Sequence, residues 1–369
     1  MKTEEPLSGQ ELIAAIRHPE SLRDLPLRRW DSLLRVARRA NLLGRLAQGA
    51  RRACRDEELP PAVRPHLQSA ATLLAHQRAA IAWETGHLAK AFAVHDFPVV
   101  LLKGAAYAAA GLAAADGRLF GDVDILVPRA NLNHAEAALM RQGWASGGSD
   151  PYDQRYYRQW MHEIPPMTHR GRGTVVDLHH NILPLTARHS PDAGQLLAWS
   201  RALPNSRFRV LCPADMVIHS ATHLFYESEL QNGLRDLFDL DALLGEFAAA
   251  GSDFWAQLTA RAIALGLALP VYLACCYAGR LLDTPVPPFV LAELARTAGL
   301  GALARRRFDA LYLRALMPDH PLSSGSATAL ARLAVYLRGH WLRMPPALLA
   351  AHLSRKAVIR LFRNTSRSA

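Results

Sequence analysis

Phe120-Gly121-Asp122-Val123-Asp124-Ile125-Leu126-Val127 sets two carboxylates one residue apart at the head of an apolar run. Side chains alternate along a strand, so a strand here projects Asp122 and Asp124 from one face while Val123, Ile125 and Val127 pack on the other. Two carboxylates held that close repel unless a cation stands between them, and a hard divalent ion such as Mg²⁺ or Mn²⁺ suits such oxygen donors. The stretch predicts a strand that opens on a metal-binding, phosphate-handling edge.

The neighbouring sequence extends that edge. Phe97-Pro98-Val99-Val100-Leu101-Leu102 is a short apolar run of buried-strand type, followed by Lys103-Gly104 and an alanine-rich helix from about 105 to 114. A glycine at a strand-to-helix turn lets backbone approach a phosphate, the helix start favours an anion, and Lys103 adds a mobile positive charge. Downstream, Thr174-Val175-Val176-Asp177-Leu178-His179 reads as a further strand. Its alternation puts Asp177 and His179 on one face, where Asp177 would complete a three-carboxylate set.

This order of strand, turn glycine, helix, Asp-x-Asp strand, helix and later acid-bearing strand resembles the nucleotidyltransferase superfamily typified by DNA polymerase beta. More closely, Leu101-Leu102-Lys103-Gly104, Arg118, Asp122 to Val127, Val176-Asp177-Leu178-His179 and Leu234-Arg235-Asp236-Leu237-Phe238-Asp239-Leu240 resemble a bacterial family of uncharacterised nucleotidyltransferases, over about residues 30 to 350. The usual Gly-Ser after the first strand is here Lys103-Gly104, so no serine hydroxyl is available at that turn. The resemblance implies an NTP substrate, a Mg²⁺ ion on Asp122, Asp124 and Asp177, and a role in polysaccharide biosynthesis or peptide tailoring. It also implies that His223 packs toward the active-site cleft. Asp122 and Asp124 would hold the triphosphate's metal, and Asp177 would take the proton of an acceptor hydroxyl. A metal-dependent glycosyltransferase also uses an Asp-x-Asp pair, and a non-catalytic nucleotide-binding scaffold is a further alternative.

Other candidates carry two readings each. Lys103 and Gly104 are phosphate contacts or an ordinary strand end. Arg118 is a phosphate clamp, because its planar fork matches phosphate oxygens, or a partner of Asp116 or Asp122. His179 could hydrogen-bond a carboxylate or a phosphate. Asp215, His219 and His223 share a helix face at a spacing that can bind zinc, but no glutamate follows His219 in the metalloprotease manner. Arg235 and Asp239 stand four apart, as an ion pair on a helix would. Serine-hydrolase, Walker and Rossmann motifs do not occur.

The chain's 369 residues are half hydrophobic, enough for a sizeable core. The expected organisation is an α+β fold: a helical region over 1–95, a small mixed-sheet core over 96–185 and a second helical region with a basic tail over 186–369. Strands are expected near 97–102, 122–127, 155–163 and 174–180, helices near 105–114 and 131–142, and a loop around Gly143, Gly147, Gly148 and Pro151. The uncharged stretch from 262 to 279 has Pro270 at its centre and reads as two buried helices, not a membrane span. Four cysteines without zinc-like or disulfide spacing and a start without an apolar signal segment predict a reduced, cytoplasmic protein. The net charge is +11, yet residues 301–369 hold twelve basic residues against two acids, leaving +1 for the rest. That tail suits an anionic membrane surface or an acidic partner, and also a plain solvated helix face. No Arg-Gly-rich or aromatic-interleaved segment points to nucleic acid.

Overall fold

Four α-helices precede the sheet in a computed structural model that describes residues 7–147, 151–226 and 230–345 of the chain. They are α1 (Gly9–Arg17), α2 (Leu27–Arg39), α3 (Leu43–Ala53) and α4 (Arg64–Ala91). Ser8 and Glu11 start α1 as a reciprocal capping box. Trp30, Leu33, Leu34 and Ala37 form the buried stripe of α2, at the three-to-four spacing that turns one helix face inward.

The α/β segment follows as β1 (Val100–Leu101), α5 (Lys103–Ala109), β2 (Val123–Leu126), α6 (Leu132–Arg141), β3 (Trp144–Ser146) and α7 (Pro151–Trp160). It continues with β4 (Met167–His169), β5 (Val175–His179), α8 (Ala193–Trp199), β6 (Arg201–Ala202) and β7 (Arg209–Val210). The strands form one sheet in the order β3-β4-β5-β2-β1-β7-β6. β2 runs parallel to β5 and β1 parallel to β7, while the other neighbours are antiparallel. The fold is thus the mixed α+β type expected. Its sheet also takes in β6 and β7, from the stretch past residue 185 that reads in sequence as helical.

Two local expectations fail. The strand expected over 155–163 is helical through Trp160, because its polar residues satisfy a helix: Arg155 donates to Gln159 at 3.1 Å and Arg158 to Gln154 at 2.9 Å, both one turn apart. Tyr156, Tyr157 and Trp160 give the stretch a strand-like composition, but that propensity yields to context. In the expected loop after α6, Trp144 instead buries its ring and β3 pairs with β4.

Helices then return: α9 (Pro213–Tyr226), α10 (Gly233–Ala250), α11 (Phe254–Ala264), α12 (Ala268–Leu282), α13 (Pro288–Thr297), α14 (Ala302–Ala315) and α15 (Ser326–Arg343). The 262–279 stretch is two helices, broken at Gly266 in the left-handed region (φ +70°). Pro270 sits in the first turn of α12, where a missing N–H costs nothing. No described helix is long and apolar enough to cross a membrane. Buried apolar residues form one cluster running from Leu7 to Val335. Two buried bidentate ion pairs pin helices around the sheet: Glu84 of α4 accepts from Arg172 at 2.9 and 3.0 Å, and Asp215 of α9 from Arg261 at 2.8 and 3.0 Å.

Candidate active site

Parallel, in-register pairing of β2 with β5 sets Asp124 opposite Asp177 and Leu126 opposite His179. Residues paired across parallel strands point to the same face, so the two carboxylates stand side by side. Asp124 is 5% exposed. One of its oxygens, Oδ1, meets both Lys103 Nζ at 3.2 Å and His179 Nε2 at 3.0 Å. Burial alone would raise this carboxyl, but the Lys103 charge and the His179 hydrogen bond hold it well below the ordinary range.

The flanking acids behave oppositely. Burial, and then the charges of Asp124 and Glu163, push Asp177 up to about 7. Its Oδ1 is buried with no hydrogen-bond partner among the described residues. Asp122 directly precedes β2 at the cavity mouth; its side chain meets solvent, yet the crowding protein and the charge of Asp124 still raise it. Ligand atoms of Asp124, Asp177 and His179 lie within 4.8 Å of one another. An orphaned carboxylate oxygen beside a second carboxylate, in oxygen-rich surroundings, fits a divalent cation.

Lys103 reaches Asp124 because Leu102 N–H donates to the Asp124 carbonyl at 3.0 Å, which delivers the end of β1 beside β2. Lys103 itself takes φ +44°, a left-handed backbone that a residue with a Cβ adopts at a cost. Sequence reasoning gave the special turn to Gly104; the structure gives it to Lys103. Gly104 instead makes room: a Cβ there would lie 2.7 Å from the Phe120 ring and 3.2 Å from Arg118 Nε.

Arg118 is only 8% exposed. It faces neither Asp116 nor Asp122. Its Nη1 is 3.2 Å from Asp239 Oδ2, while Asp239 Oδ1 accepts from Arg45 of α3 at 2.7 Å. Asp116 faces Arg78 at 3.6 Å. Burial opposes the Arg118 charge, but Asp239 and then Asp236 outweigh it and raise the guanidinium further. Its Nε and Nη1 nevertheless make no hydrogen bond among the described residues. Arg235 pairs with its neighbour Asp236 at 2.8 Å, not with Asp239 one turn on.

These side chains wall one cavity of about 510 Å³, bounded by Lys103, Gly104, Arg118, Asp122, Asp124 and His223. Asp177 and His179 stand one strand further out, beyond Asp124. His219, one turn before His223, is buried, and that burial together with the Lys103 and His223 charges keeps its imidazole neutral. With Asp215 committed to Arg261, the helix face of Asp215, His219 and His223 is not a zinc set. Two cavity pairs escaped sequence reasoning: Tyr107, whose hydroxyl bonds Ser220, and Asn41, which donates to Asn232. Tyr107 could have been found one turn after Lys103. Asn41 sits between α2 and α3 and carries no local signal. Glu163, 3.4 Å from His179 Nδ1, was also missed.

A family profile described as uncharacterised nucleotidyltransferase matches residues 26–283. The chain belongs to that family. The matched span runs from the start of α2 to the end of α12 and stops short of the 350 that the resemblance reached. It contains every candidate site residue from Lys103 to His223 and excludes the basic tail. No curated protein and no solved structure matches the chain. Arg355, Lys356, Arg360, Arg363 and Arg367, five of the tail's twelve basic residues, lie outside the described residues. Membership supports nucleotidyl transfer as the general activity.

Proposed function

We propose that the chain moves a nucleoside monophosphate from an NTP to a hydroxyl or phosphate acceptor, with Mg²⁺ or Mn²⁺ held by Asp122, Asp124 and Asp177. The observation that carries this reading is the Asp124–Asp177 pairing across β2 and β5, beside a cavity that Asp124, Lys103 and Arg118 line. When bound, the metal would supply positive charge on the phosphate oxygens and lower the pKa of the acceptor hydroxyl.

The chain's own groups account for the rest. Arg118, anchored through Nη1 to Asp239, brings its guanidinium charge to the cavity wall for a charge-assisted contact with phosphate oxygens. Lys103 exchanges Asp124 for a phosphate oxygen, and its strained backbone holds it at the strand end where both are within reach. Asp177, raised to about 7, is matched to taking a proton near neutral pH. The acceptor oxygen forms a bond to the α-phosphorus, the bond from that phosphorus to the pyrophosphate oxygen breaks, and the acceptor proton passes to Asp177. The acceptor is a sugar, peptide, protein or small-molecule group of a biosynthetic or peptide-tailoring pathway, and the basic tail docks the protein to an anionic surface or acidic partner.

Incubation with each labelled NTP and Mg²⁺ tests the reading. Pyrophosphate release with a labelled product, self-modification included, is expected for the wild type and not for Asp124→Asn. Release by Asp124→Asn at the wild-type rate, or none by the wild type with any NTP across a panel of sugar, peptide and protein acceptors, would refute it.

A further inference from the structure

We propose a second cation site, nitrogen-rich and suited to a borderline transition ion of the Zn²⁺ class, formed by His162, Glu163 and the outward nitrogen of His179. It does not depend on the nucleotidyl-transfer reading, since it uses atoms on the side of His179 that faces away from Asp124.

The backbone brings the three residues together. Glu163 forms an antiparallel bridge with His179. Ile164 N–H donates to the Leu178 carbonyl at 3.0 Å, and the His162 carbonyl accepts from the N–H groups of His180 at 2.8 Å and Asn181 at 3.2 Å. The following Pro165-Pro166 has no N–H to offer and interrupts the ladder before β4 resumes it. His162 and Glu163 are thereby fixed against the end of β5.

The side chains then converge. One ligand atom from each of His162, Glu163 and His179 lies within 4.8 Å of the other two. The imidazole centroids are 5.3 Å apart. His162 Nδ1 and His179 Nδ1 are both buried, and neither makes a hydrogen bond among the described residues, although Glu163 Oε2 stands 3.4 Å from the latter. Two buried nitrogens without partners beside a carboxylate are costly, and a shared cation satisfies all three at once.

Donor type narrows the ion. Mg²⁺ and Ca²⁺ seek oxygen, whereas two imidazoles and one carboxylate match Zn²⁺ and its neighbours, with one coordination position left over. The arrangement also contains what normally accompanies such a ligand. A metal-bound histidine usually gives its other N–H to a carboxylate, and His179 Nε2 lies 3.0 Å from Asp124 Oδ1. An ion on Nδ1 would fix His179 as the tautomer that donates to Asp124, linking occupancy of this outer site to the orientation of the carboxylate at the cavity.

Cobalt tests it, because Co²⁺ replaces Zn²⁺ and its visible absorption reports nitrogen ligation and low coordination number. The untagged full chain, stripped with chelator and free of NTP, is titrated with Co²⁺ and then with Zn²⁺. One Co²⁺ per chain with an intense visible band, bleached by Zn²⁺, is expected. His162→Gln and Glu163→Gln should each weaken binding by more than the roughly ten- to hundredfold that loss of a ligand's own hydrogen-bond partner costs, and Asp122→Asn should not. Zn²⁺ should raise the melting temperature of the wild type more than that of either variant. Should His162→Gln lose its wild-type circular dichroism, the near-isosteric Glu163→Gln carries the comparison. Absence of the band, or cobalt affinity that both variants retain and Asp122→Asn loses, would overturn the proposal: a proton would then occupy the His179–Glu163 gap, or the ion would sit on the inner carboxylates.

Discussion

Asp177→Asn should stabilise the metal-free protein at alkaline pH and leave its stability in acid unchanged. The Asp177 carboxyl is raised from an ordinary 3.8 to about 7 by burial and by the charges of Asp124 and Glu163. Below about pH 4 the group is protonated in both folded and unfolded chains and exerts no pH-dependent effect. Between about pH 4 and 7 the folded protein retains a proton that the unfolded chain has released, so stability falls as pH rises and levels off above 7. A shift of ~3 units corresponds to a ceiling of ~4 kcal/mol. Because Asp177 is only partly buried, solvent screening brings the expected effect nearer ~2 kcal/mol. Asn resembles the protonated acid at every pH and escapes the loss. Urea unfolding in chelator from pH 4 to 9 would therefore give curves that coincide in acid and diverge by ~2 kcal/mol by pH 8. Added Mg²⁺ should reverse the order, since an ion bound only by the folded wild type contributes about 2.7 kcal/mol at a hundredfold excess over Kd. Parallel pH curves in chelator, or equal Mg²⁺ stabilisation of both proteins, would refute the account of Asp177 as a strained metal ligand.

Gly104→Ala drives a methyl to 2.7 Å from the Phe120 ring and should cost about 1–3 kcal/mol while weakening NTP binding; wild-type stability in urea would remove the packing argument. Lys103→Gly should unfold at higher urea than Lys103→Ala by about 1 kcal/mol, because only glycine is at ease at φ +44°, and coincident midpoints would dispose of the strain. Asp239→Asn leaves Arg45 and Arg118 without their buried counter-charge and should cost about 3 kcal/mol as well as nucleotide affinity, measured by urea melts and isothermal titration. Replacing Arg355, Lys356, Arg360, Arg363 and Arg367 by Gln should abolish a salt-sensitive attachment to anionic vesicles, an attraction screened over ~8 Å at physiological ionic strength. Undiminished cosedimentation would leave the tail a solvated surface.

The parts of this protein legible in its sequence are those encoded by local periodicity. Alternation places Asp122, Asp124 and Asp177, and the apolar run before Lys103 marks β1; the cleft-facing position of His223 comes from the family resemblance and not from its helical spacing. Where two local signals compete, the reading fails: aromatic content argues for a strand at 155–163, while the one-turn pairs Gln154–Arg158 and Arg155–Gln159 make it a helix. Nor does periodicity report who meets whom across the fold. Arg118 has Asp116 and Asp122 close in sequence, and both are plausible partners on spacing alone. Its actual partner comes from α10, because the loop bearing Arg118 brings the guanidinium to Asp239 across the cavity.

That pairing explains why the helical regions belong to the site and do not merely surround it. The sheet contributes acids and the carbonyl that seats Lys103, but little that could keep a buried guanidinium charged, Asp124 being a minor contributor. Asp239 of α10 does so, and it is shared with Arg45, whose Nη2 also donates to the Ala114 carbonyl at 3.0 Å and so grips the approach to Arg118. The contact requires backbone against backbone. A Cβ at Gly117 would fall 2.7 Å from the Arg45 nitrogen, and one at Gly44 would fall 2.5 Å from the Gly117 carbonyl oxygen. Two glycines thus let α3 close on the loop, and one aspartate from α10 neutralises the pair of arginines that this closure buries. Arg118 lines the cavity while its main counter-charge comes from Asp239 of α10, which lets a cationic wall persist within reach of Asp122 and Asp124 without collapsing onto them.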